Sequence, residues 1–440
     1  MGNDAWQKSR GIRRKALPRA WGLLLALLGI ALLAGCTNLL RLSADTRETR
    51  ERLRIIEGTI EVPTCGECPL IVVVLGDESP PVVHNFRVFE RSGSFRIAAL
   101  RESRYLFAFQ DTNRDFSYQQ TEPAAWHELA DTRFEGLTAT DIVLRLGIPL
   151  VRPAPPGLLN LFELRGATLG RVDVQMGQVA TLEDERFSRS AAEMGVWEPI
   201  RFMKQGYAGI FFLEPYDAGR TPVLFIPGIN GTPRDFADLI RALDRRRFQP
   251  WVMHYPSGLD LRALGDGLVG LMSELRLRYD FSSLHVVAHS MGGLVGREFV
   301  AACARGGTCG YLRQFVSIST PFSGEASAGL GVAYAPVVVP VWRNLTPGSP
   351  FLAHLFDEPL PGDVEHHLLF SFRNESRLRP GSGDGVVLLA SQLRPEAQAQ
   401  ATTLRGFDDD HMSVLENPAV HQLVNELLGT AGRTRRVRRP

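Results

Sequence analysis

Two hydrophobic patterns divide the chain into a strand-rich part and a part in which strands alternate with helices. Between residues 58 and 146, short apolar runs such as PLIVVVLG and RYLFAFQD are separated by turn residues. Several short strands at close spacing predict a small all-β sandwich. From about residue 157 onward, strand-like segments such as TPVLFIPG and SLHVVAHS alternate with helix-like segments such as RDFADLIRALDRRR. This alternation predicts a mostly parallel sheet with helices on both faces, an α/β fold.

The N-terminal residues follow a third pattern, that of an exported protein. Several Lys and Arg residues up to Arg19 precede WGLLLALLGIALLAGC, which carries no charge, as in the basic and apolar regions of an export signal. The uncharged run continues to Leu40, so an uncleaved membrane anchor is the alternative. The segment LAGC, residues 33–36, resembles the lipobox of bacterial lipoproteins, which implies that Cys36 is acylated and becomes the new N-terminus. Thr37 stands where an inner-membrane retention signal has aspartate, so the outer membrane is the expected location.

These patterns, with the proline-rich stretch PLVRPAPPG at residues 149–157, set the expected boundaries. We expect a signal peptide over 1–35, a charge-rich tether over 36–57 that acts as a spacer, the sandwich over 58–148, a linker and pre-core segment over 149–205, the α/β domain over 206–430 and a basic tail over 431–440.

Charge and cysteine content narrow the possible partners. The formal net charge is +1, so the molecule as a whole has no electrostatic reason to bind nucleic acid. Apart from Cys36, four cysteines remain, and in an oxidising compartment the simplest pairing is local: Cys65 with Cys68 and Cys303 with Cys309. A redox or metal role is the alternative for a Cys-x-x-Cys pair, but a zinc site needs two more ligands and neither pair has a histidine nearby.

One loop of the sandwich has the spacing of a calcium site. In DTNRDFSYQQTE, residues Asp111, Asn113, Asp115 and Glu122 occupy positions one, three, five and twelve of an EF-hand loop. Phe116 stands where that loop needs glycine, and the preceding YLFAFQ is strand-like. The alternative is a polar hairpin turn whose Asp and Asn side chains cap their own backbone.

Candidate chemistry begins at Ser290 in VVAHSMGGLVGR, which directly follows a predicted strand and precedes a predicted helix. A serine on such a sharp strand-to-helix turn needs small residues two positions to either side, here Ala288 and Gly292. A nucleophilic serine also needs two backbone N–H donors for the oxyanion, one from the residue after it and one from a loop after an earlier strand. The loop PGINGT, residues 227–232, is in the right place, and the two donors are then Ile229 and Met291.

With these two motifs, residues 206–428 resemble an α/β-hydrolase of the bacterial lipase and esterase type, and are also similar to hydrolases of the GPI-inositol deacylase kind. PGINGT matches the lipase loop His-Gly-Ile-x-Gly with Pro227 in place of the histidine, and AHSMGG matches the serine turn in its alanine form. Because the oxyanion donor follows the first glycine, Ile229 is unaffected by the proline. Pro227 would, however, remove any polar contact that the side chain of the histidine makes.

The order Ser, Asp, His of this fold then selects the other two groups. GSGDGVV, residues 381–387, resembles the loop that carries the acid in lipases, which makes Asp384 the expected acid. His411 in DDDHMSVLENP is the histidine left in a late loop; the alternatives for the acid, Asp408 to Asp410, are adjacent to it in sequence and badly placed to reach its Nδ1. His366 and His367 precede the acid, and His421 lies within the final helix.

The resemblance implies a serine ester hydrolase that needs no metal or organic cofactor and acts on an acyl ester or lipid near its membrane anchor. An acyltransferase with the same three residues, or a non-catalytic binding lipoprotein, are the alternatives; an epoxide hydrolase or dehalogenase is disfavoured because those enzymes have aspartate in place of Ser290. A partner of the sandwich is not indicated.

An apolar insertion over residues 321–362 lies where lipases commonly have a lid, and LTPGSPFLAHL extends the resemblance. We expect its apolar residues to line an acyl pocket, with coverage of the sheet as the alternative. These residues are Val337, Val338, Val339, Val341, Trp342, Phe351, Leu352 and Leu355.

Overall fold

The computed structural model describes residues 37–45, 47, 51–62, 69–79, 81–148, 150, 174–306, 309–373 and 381–430. The signal segment, Cys36, the pair Cys65 and Cys68, and the basic tail lie outside the described residues. Among the described helices, none is both long and apolar enough to cross a lipid bilayer.

The N-terminal part forms two small sheets that share a core. In the described residues their strand orders are β4-β1-β7 and β3-β2-β5-β6. The strands are β1 (Leu53–Glu61), β2 (Leu70–Leu75), β3 (Val83–Phe89), β4 (Gly93–Leu100), β5 (Tyr105–Gln110), β6 (Ala124–Glu128) and β7 (Thr138–Arg145). Alternate residues of both sheets, such as Ile56, Val72 and Ile97, meet in one buried cluster, as the period of two in a strand requires. The predicted β domain is therefore present.

The C-terminal part is built on one large mixed sheet. In the described residues its order is β15-β14-β13-β12-β10-β11-β9-β8. The strands are β8 (Gln175–Val179), β9 (Gly209–Phe212), β10 (Thr221–Ile226), β11 (Phe248–His254), β12 (Leu284–His289), β13 (Leu312–Ile318), β14 (Glu365–Ser371) and β15 (Ala401–Phe407). Within the group of six strands from β10 to β15, all neighbouring strands are parallel. Strand β9 runs antiparallel to β11. The central strand β12 is buried along its whole length, which suits a sheet covered on both faces.

Helices cover this sheet on two sides, each with its own apolar core. A helical N-terminal segment α1 includes residues 37–45, 47 and 51–52. The other helices are α2 (Arg189–Trp197), α3 (Pro199–Lys204), α4 (Ala237–Ala242), α5 (Leu261–Tyr279), α6 (Met291–Gly306), α7 (Ala326–Tyr334), α8 (Pro340–Leu345), α9 (Pro350–His354), α10 (Leu389–Gln392), α11 (Pro395–Gln400) and α12 (Pro418–Leu428). The predicted combination of an α/β sheet with a preceding β domain is confirmed.

Two boundaries differ from those expected from the sequence. Strand β1 begins at Leu53, five residues before the expected start of the sandwich at 58, and β8 belongs to the large sheet although residues 149–205 were expected to precede it. The charged residues around β1 mask its alternation, and β8, QMGQV, has no continuous apolar run.

The tether also differs from the expected spacer. Leu42 of α1 is only 1% exposed and belongs to the main core of the large domain. Asp45 accepts hydrogen bonds from the backbone N–H groups of Ile200 (2.8 Å) and Arg201 (3.1 Å) at the start of α3. These contacts fasten the N-terminal segment to the large domain, because they join a buried apolar side chain to a carboxylate at a helix N-terminus.

Candidate active site

Ser290 lies at a sharp turn between the end of β12 and the first residue of α6. Its φ is +54°, a left-handed conformation that non-glycine residues adopt only when their surroundings hold them there. Its backbone N–H donates to the carbonyl oxygen of Ile318 at 2.8 Å. The turn thereby fixes the serine at the carboxyl edge of the sheet.

The small residues around Ser290 are required by close backbone contacts. A Cβ atom on Gly292 would lie 2.3 Å from the carbonyl oxygen of Ile226, and one on Gly293 would lie 1.8 Å from Thr320 Oγ1. Ala288 on the other side of the turn is fully buried in the sheet. The spacing of small residues therefore serves the close approach of α6 to β10 and β13.

The three side chains expected from the sequence form one hydrogen-bonded chain. His411 Nε2 lies 2.9 Å from Ser290 Oγ, and His411 Nδ1 lies 2.7 Å from Asp384 Oδ2. All three residues are at most 8% exposed. In this geometry the hydroxyl donates to Nε2 and the ring donates from Nδ1–H to the carboxylate, so the histidine is oriented to accept the serine proton.

Asp384 is held as an ionised acceptor. The backbone N–H groups of Val386 (3.0 Å) and Val387 (2.7 Å) donate to its Oδ1, while the Ser371 hydroxyl (3.0 Å) and the Gln392 amide (3.1 Å) donate to Oδ2. Burial alone raises the pKa of Asp384, but the hydrogen bond and charge of His411 and the two backbone donors outweigh it and leave the pKa below its usual value.

The backbone of His411 is held from both sides. Its N–H donates to the carbonyl oxygen of Asp384 at 3.0 Å, and its carbonyl oxygen accepts from His289 Nε2 at 2.8 Å. Burial lowers the pKa of His289 to about 3, so this ring is neutral and carries its proton on Nε2, the nitrogen that donates.

Sequence reasoning missed three of these supporting groups: His289, Ser371 and Gln392. His289 had one signal, its position directly before the candidate serine. Ser371 and Gln392 are ordinary polar residues at the end of β14 and in α10, and only the fold brings them to the carboxylate.

The other candidate acids and histidines have different partners. Asp408 and Asp409 pair with Arg373, and Asp410 accepts from the backbone N–H groups of Met412 and Ser413. His366 bonds Ser317, His367 bonds Gln314 and Thr403, and His421 bonds the carbonyl oxygen of Leu415. Each of these groups is thus engaged away from Ser290.

The loop of residues 227–232 lies against the serine. A Cβ on Gly228 would be 2.9 Å from the Cβ of Ser290. In the described part of the chain, neither the N–H of Ile229 nor that of Met291 donates to a protein acceptor. Met291 is the first residue of the 16-residue helix α6, whose N-terminus favours negative charge. Two backbone donors are thereby available beside the serine oxygen.

Tyr255 and Ser257 hold the loop of residues 227–232 by hydrogen bonds to its backbone. The Tyr255 hydroxyl donates to the carbonyl oxygen of Pro227 at 2.6 Å. One residue beyond Ile229, Asn230 adopts a φ of +53° and donates from its N–H to Ser257 Oγ at 3.1 Å. The two contacts hold the loop on both sides of Ile229.

The calcium prediction is not supported by the loop geometry. Asp111 accepts from the N–H groups of Asp115 and Phe116, Asp115 accepts from that of Ser117, and Glu122 accepts from that of Thr112. Asn113 donates its amide to Asp115. In the part of the chain that the structure describes, no group of three or more His, Cys, Asp or Glu side chains is arranged to hold a metal ion. The loop is the polar turn that was the alternative.

Cys303 and Cys309 form a disulfide with their Cα atoms 5.5 Å apart. The bond joins the last turn of α6 to the residues before β13. The predicted pairing of these two cysteines is confirmed.

Most of the expected acyl pocket is instead core. Five of its eight residues are at most 6% exposed and pack into the main core of the domain: Val339, Val341, Phe351, Leu352 and Leu355. Val337, Val338 and Trp342 are partly buried. For these five residues the structure supports the alternative, because they are buried in the core of the domain.

A different set of apolar side chains is exposed beside the site. Met412 follows His411 and is 42% exposed, while Val386 and Leu388 follow Asp384 and are 45% and 49% exposed. An apolar ligand at Ser290 therefore has candidate contacts that the sequence did not single out.

Comparisons with known proteins agree with the fold. Residues 265–430 match the model of a family described as alpha/beta hydrolase of unknown function (DUF915). Zebrafish (Danio rerio) maspardin is 31% identical over 88 residues, a segment that is 19% of this chain and 27% of that protein.

Solved structures give partial likenesses. A Bacillus licheniformis lipase in its mature form has 18% identity and a TM-score of 0.42, covering 50% of this chain and 97% of the lipase. A Listeria innocua gene product has 17% identity and a TM-score of 0.37, covering 48% of this chain and 94% of its own. The strand order and the serine turn, together with the match over residues 265–430, show that the C-terminal domain of this chain has the α/β-hydrolase fold.

Proposed function

We propose that this protein is a serine ester hydrolase of the lipase and esterase type that forms an acyl-enzyme on Ser290. The observation that carries this proposal is the continuous hydrogen-bonded chain from Ser290 Oγ through both ring nitrogens of His411 to Asp384 Oδ2. A domain that only binds a partner does not need serine, histidine and aspartate side chains connected by hydrogen bonds in this order. The non-catalytic alternative is therefore disfavoured.

Acylation begins when Ser290 Oγ attacks the carbonyl carbon of the ester. His411 Nε2 takes the hydroxyl proton as the new C–O bond forms, and Asp384 stabilises the resulting imidazolium through Nδ1–H. The imidazolium then donates that proton to the alkoxide as the bond to the alcohol breaks. The alcohol leaves with the proton, and the acyl group remains on Ser290.

The negative charge of the tetrahedral intermediate develops on the former carbonyl oxygen. The N–H groups of Ile229 and Met291 are the donors assigned to it, because both lie beside Ser290 without a protein acceptor among the described residues. Donors fixed in advance by the loop and the helix stabilise this charge without reorganising during the reaction.

Deacylation repeats these steps with water as the nucleophile. His411 removes a proton from water, the hydroxide attacks the acyl carbonyl, and the proton returns to Ser290 Oγ as the carboxylic acid leaves. An acyltransferase would use the same residues with an alcohol in place of water, and no contact in the described residues favours that acceptor.

We further propose that the chain is a lipid-anchored lipoprotein, acylated at Cys36 and facing the periplasm or the cell surface from the outer membrane. The lipobox-like LAGC supports the anchor. The packing of Leu42 and Asp45 on the large domain supports an anchor that is attached close to this domain. Acyl esters and lipids at the membrane are the substrate class that such an attachment favours.

The proposed function is tested by hydrolysis of a series of p-nitrophenyl esters from acetyl to palmitoyl. Purified protein should release p-nitrophenol, and Ser290→Ala should remove the activity without changing the circular dichroism spectrum. Ser282→Ala is the matched control, since Ser282 is an exposed serine just before the same strand β12. Unchanged hydrolysis in Ser290→Ala refutes the assigned nucleophile.

A further inference from the structure

A cavity lies between the β domain and the α/β-hydrolase domain, lined by residues other than those assigned to the reaction at Ser290. Its volume is about 570 Å³, within the range of roughly 300–1,000 Å³ that small-molecule sites occupy, and domain interfaces are a preferred location for them. Phe86 and Val88 of β3 with Ala98 and Leu100 of β4 form its wall on the β domain.

The opposite wall of the cavity is elongated along one helix. Helix α5 contributes Ala263, Gly267, Leu271 and Glu274, which recur every three or four residues along one helix face. At a rise of about 1.5 Å per residue these positions extend over about 16 Å. An extended hydrocarbon chain fits such a space better than a compact ligand of equal volume.

Charged groups lie in the same walls. Arg52, Arg87, Arg96 and Lys204 line the cavity together with the acids Asp260, Asp266 and Glu274. Burial raises the pKa of Glu274 to about 7, although the neighbouring Arg278 partly opposes this. Near neutral pH this carboxyl group is therefore partly uncharged. Arg52 pairs with Glu102 and Arg96 pairs with Glu57. Arg87 donates to two backbone carbonyl oxygens and has no acidic side chain within salt-bridge distance among the described residues, so it suits one anionic group.

We propose that this cavity binds one long-chain fatty acid, with its acyl chain along α5 and its carboxylate at Arg87. Binding in this cavity needs no catalytic step at Ser290. The binding proposal is therefore independent of the proposed hydrolysis.

A fluorescent fatty acid, 11-dansylaminoundecanoic acid, tests the proposal with the full chain. Titration should give saturable binding of one probe per chain, with displacement by oleate and not by butyrate. Ser290→Ala should bind the probe as the native protein does, because the cavity is separate from the serine.

Gly267→Leu is the decisive variant. Gly267 lines the cavity and a Cβ there meets no atom within 4 Å, so a leucine adds bulk at the cavity wall where its first side-chain atom has open space, and leucine is a better helix former than glycine. We expect at least tenfold weaker probe binding with an unchanged melting temperature or a higher one. Gly310→Leu is the control, since a Cβ at Gly310 also meets no atom within 4 Å and Gly310 lies outside the cavity.

Three results would overturn the proposal. Equal probe affinity in native protein and Gly267→Leu places the probe elsewhere, and loss of binding in Ser290→Ala places it at the reaction site. No binding to native protein means that no fatty acid occupies the cavity; the segment of residues 151–173, which precedes Val174 in the cavity wall, is then the occupant to examine.

Discussion

His289 donates from Nε2 to the main-chain carbonyl oxygen of His411 at 2.8 Å, and the two rings lie 4.7 Å apart. The residue directly before the proposed nucleophile therefore holds the backbone of the proposed base. This contact links β12, which positions Ser290, to the loop after β15, which positions His411.

His289→Leu should lower kcat by about 10- to 100-fold, because the carbonyl oxygen of His411 is left buried without its donor, a loss of about 1–3 kcal/mol. KM should change little, since His289 does not reach the ester. Steady-state kinetics with one p-nitrophenyl ester measures kcat and KM separately. His289→Gln, which keeps an N–H donor, should recover part of kcat. An unaltered kcat in His289→Leu removes its positioning role.

Asp384→Asn should reduce kcat by about 10⁴-fold while the fold remains intact, because an amide no longer stabilises the correct tautomer and charge of His411. His411→Ala should abolish activity. The measurement is initial rate at saturating ester. If Asp384→Ala keeps full activity, the acid is misassigned and Asp408 to Asp410 are the next candidates.

Gly292→Ala should destabilise the protein, because the new Cβ would lie 2.3 Å from the carbonyl oxygen of Ile226 and the backbone must shift. Overpacking of this kind costs about 1–3 kcal/mol, and the shift also displaces the N–H of Met291. Urea unfolding with parallel activity assays checks both effects. Gly310→Ala, which has open space for its Cβ, serves as the comparison and should behave as the native protein.

Five buried histidines should make the protein sensitive to mild acid. Burial lowers the pKa values of His254, His285, His289 and His366 to about 3 and that of His367 to about 4. Their folded pKa values lie below the unfolded value of about 6.5, so the unfolded chain binds more protons below that pH. Stability is then complete above about pH 6.5 and is lost as the pH falls toward 3, by up to about 1.4 kcal/mol per pH unit for each histidine.

Urea unfolding at pH 5 and pH 7 measures this loss. His254→Phe removes one titrating ring that packs edge-on against Phe187 and Phe202, and it should reduce the difference in unfolding free energy between the two pH values. An equal difference in the variant and the native protein shows that His254 is not part of the effect.

The sequence predicted the elements that depend on local pattern and chain order. The strand-turn-helix around Ser290 follows from small residues at fixed spacing, and Asp384 and His411 follow from their order after it. Ser371 and Gln392 were not predictable, because they reach Asp384 only through the pairing of β13 with β14 and the position of α10.

Predictions from residue type alone were less reliable than those from pattern. An apolar side chain in residues 321–362 is consistent with a ligand pocket or with the core, and Val341 and Leu352 are buried in the main core of the domain. The oxygen spacing from Asp111 to Glu122 is consistent with calcium or with a turn, and backbone N–H donors occupy those oxygens instead. The charged residues around Leu42 concealed that this side chain is buried.

Labelling with a fluorophosphonate probe tests the central claim most directly, since the probe reacts with a serine only where a base and oxyanion donors activate it. The full-length protein should take up one probe, and peptide mapping should place it on Ser290 within VVAHSMGGLVGR. Ser290→Ala should take up none, and Ser282→Ala should be labelled as the native protein is. Folded native protein that remains unlabelled, or an adduct on another residue, would contradict the account.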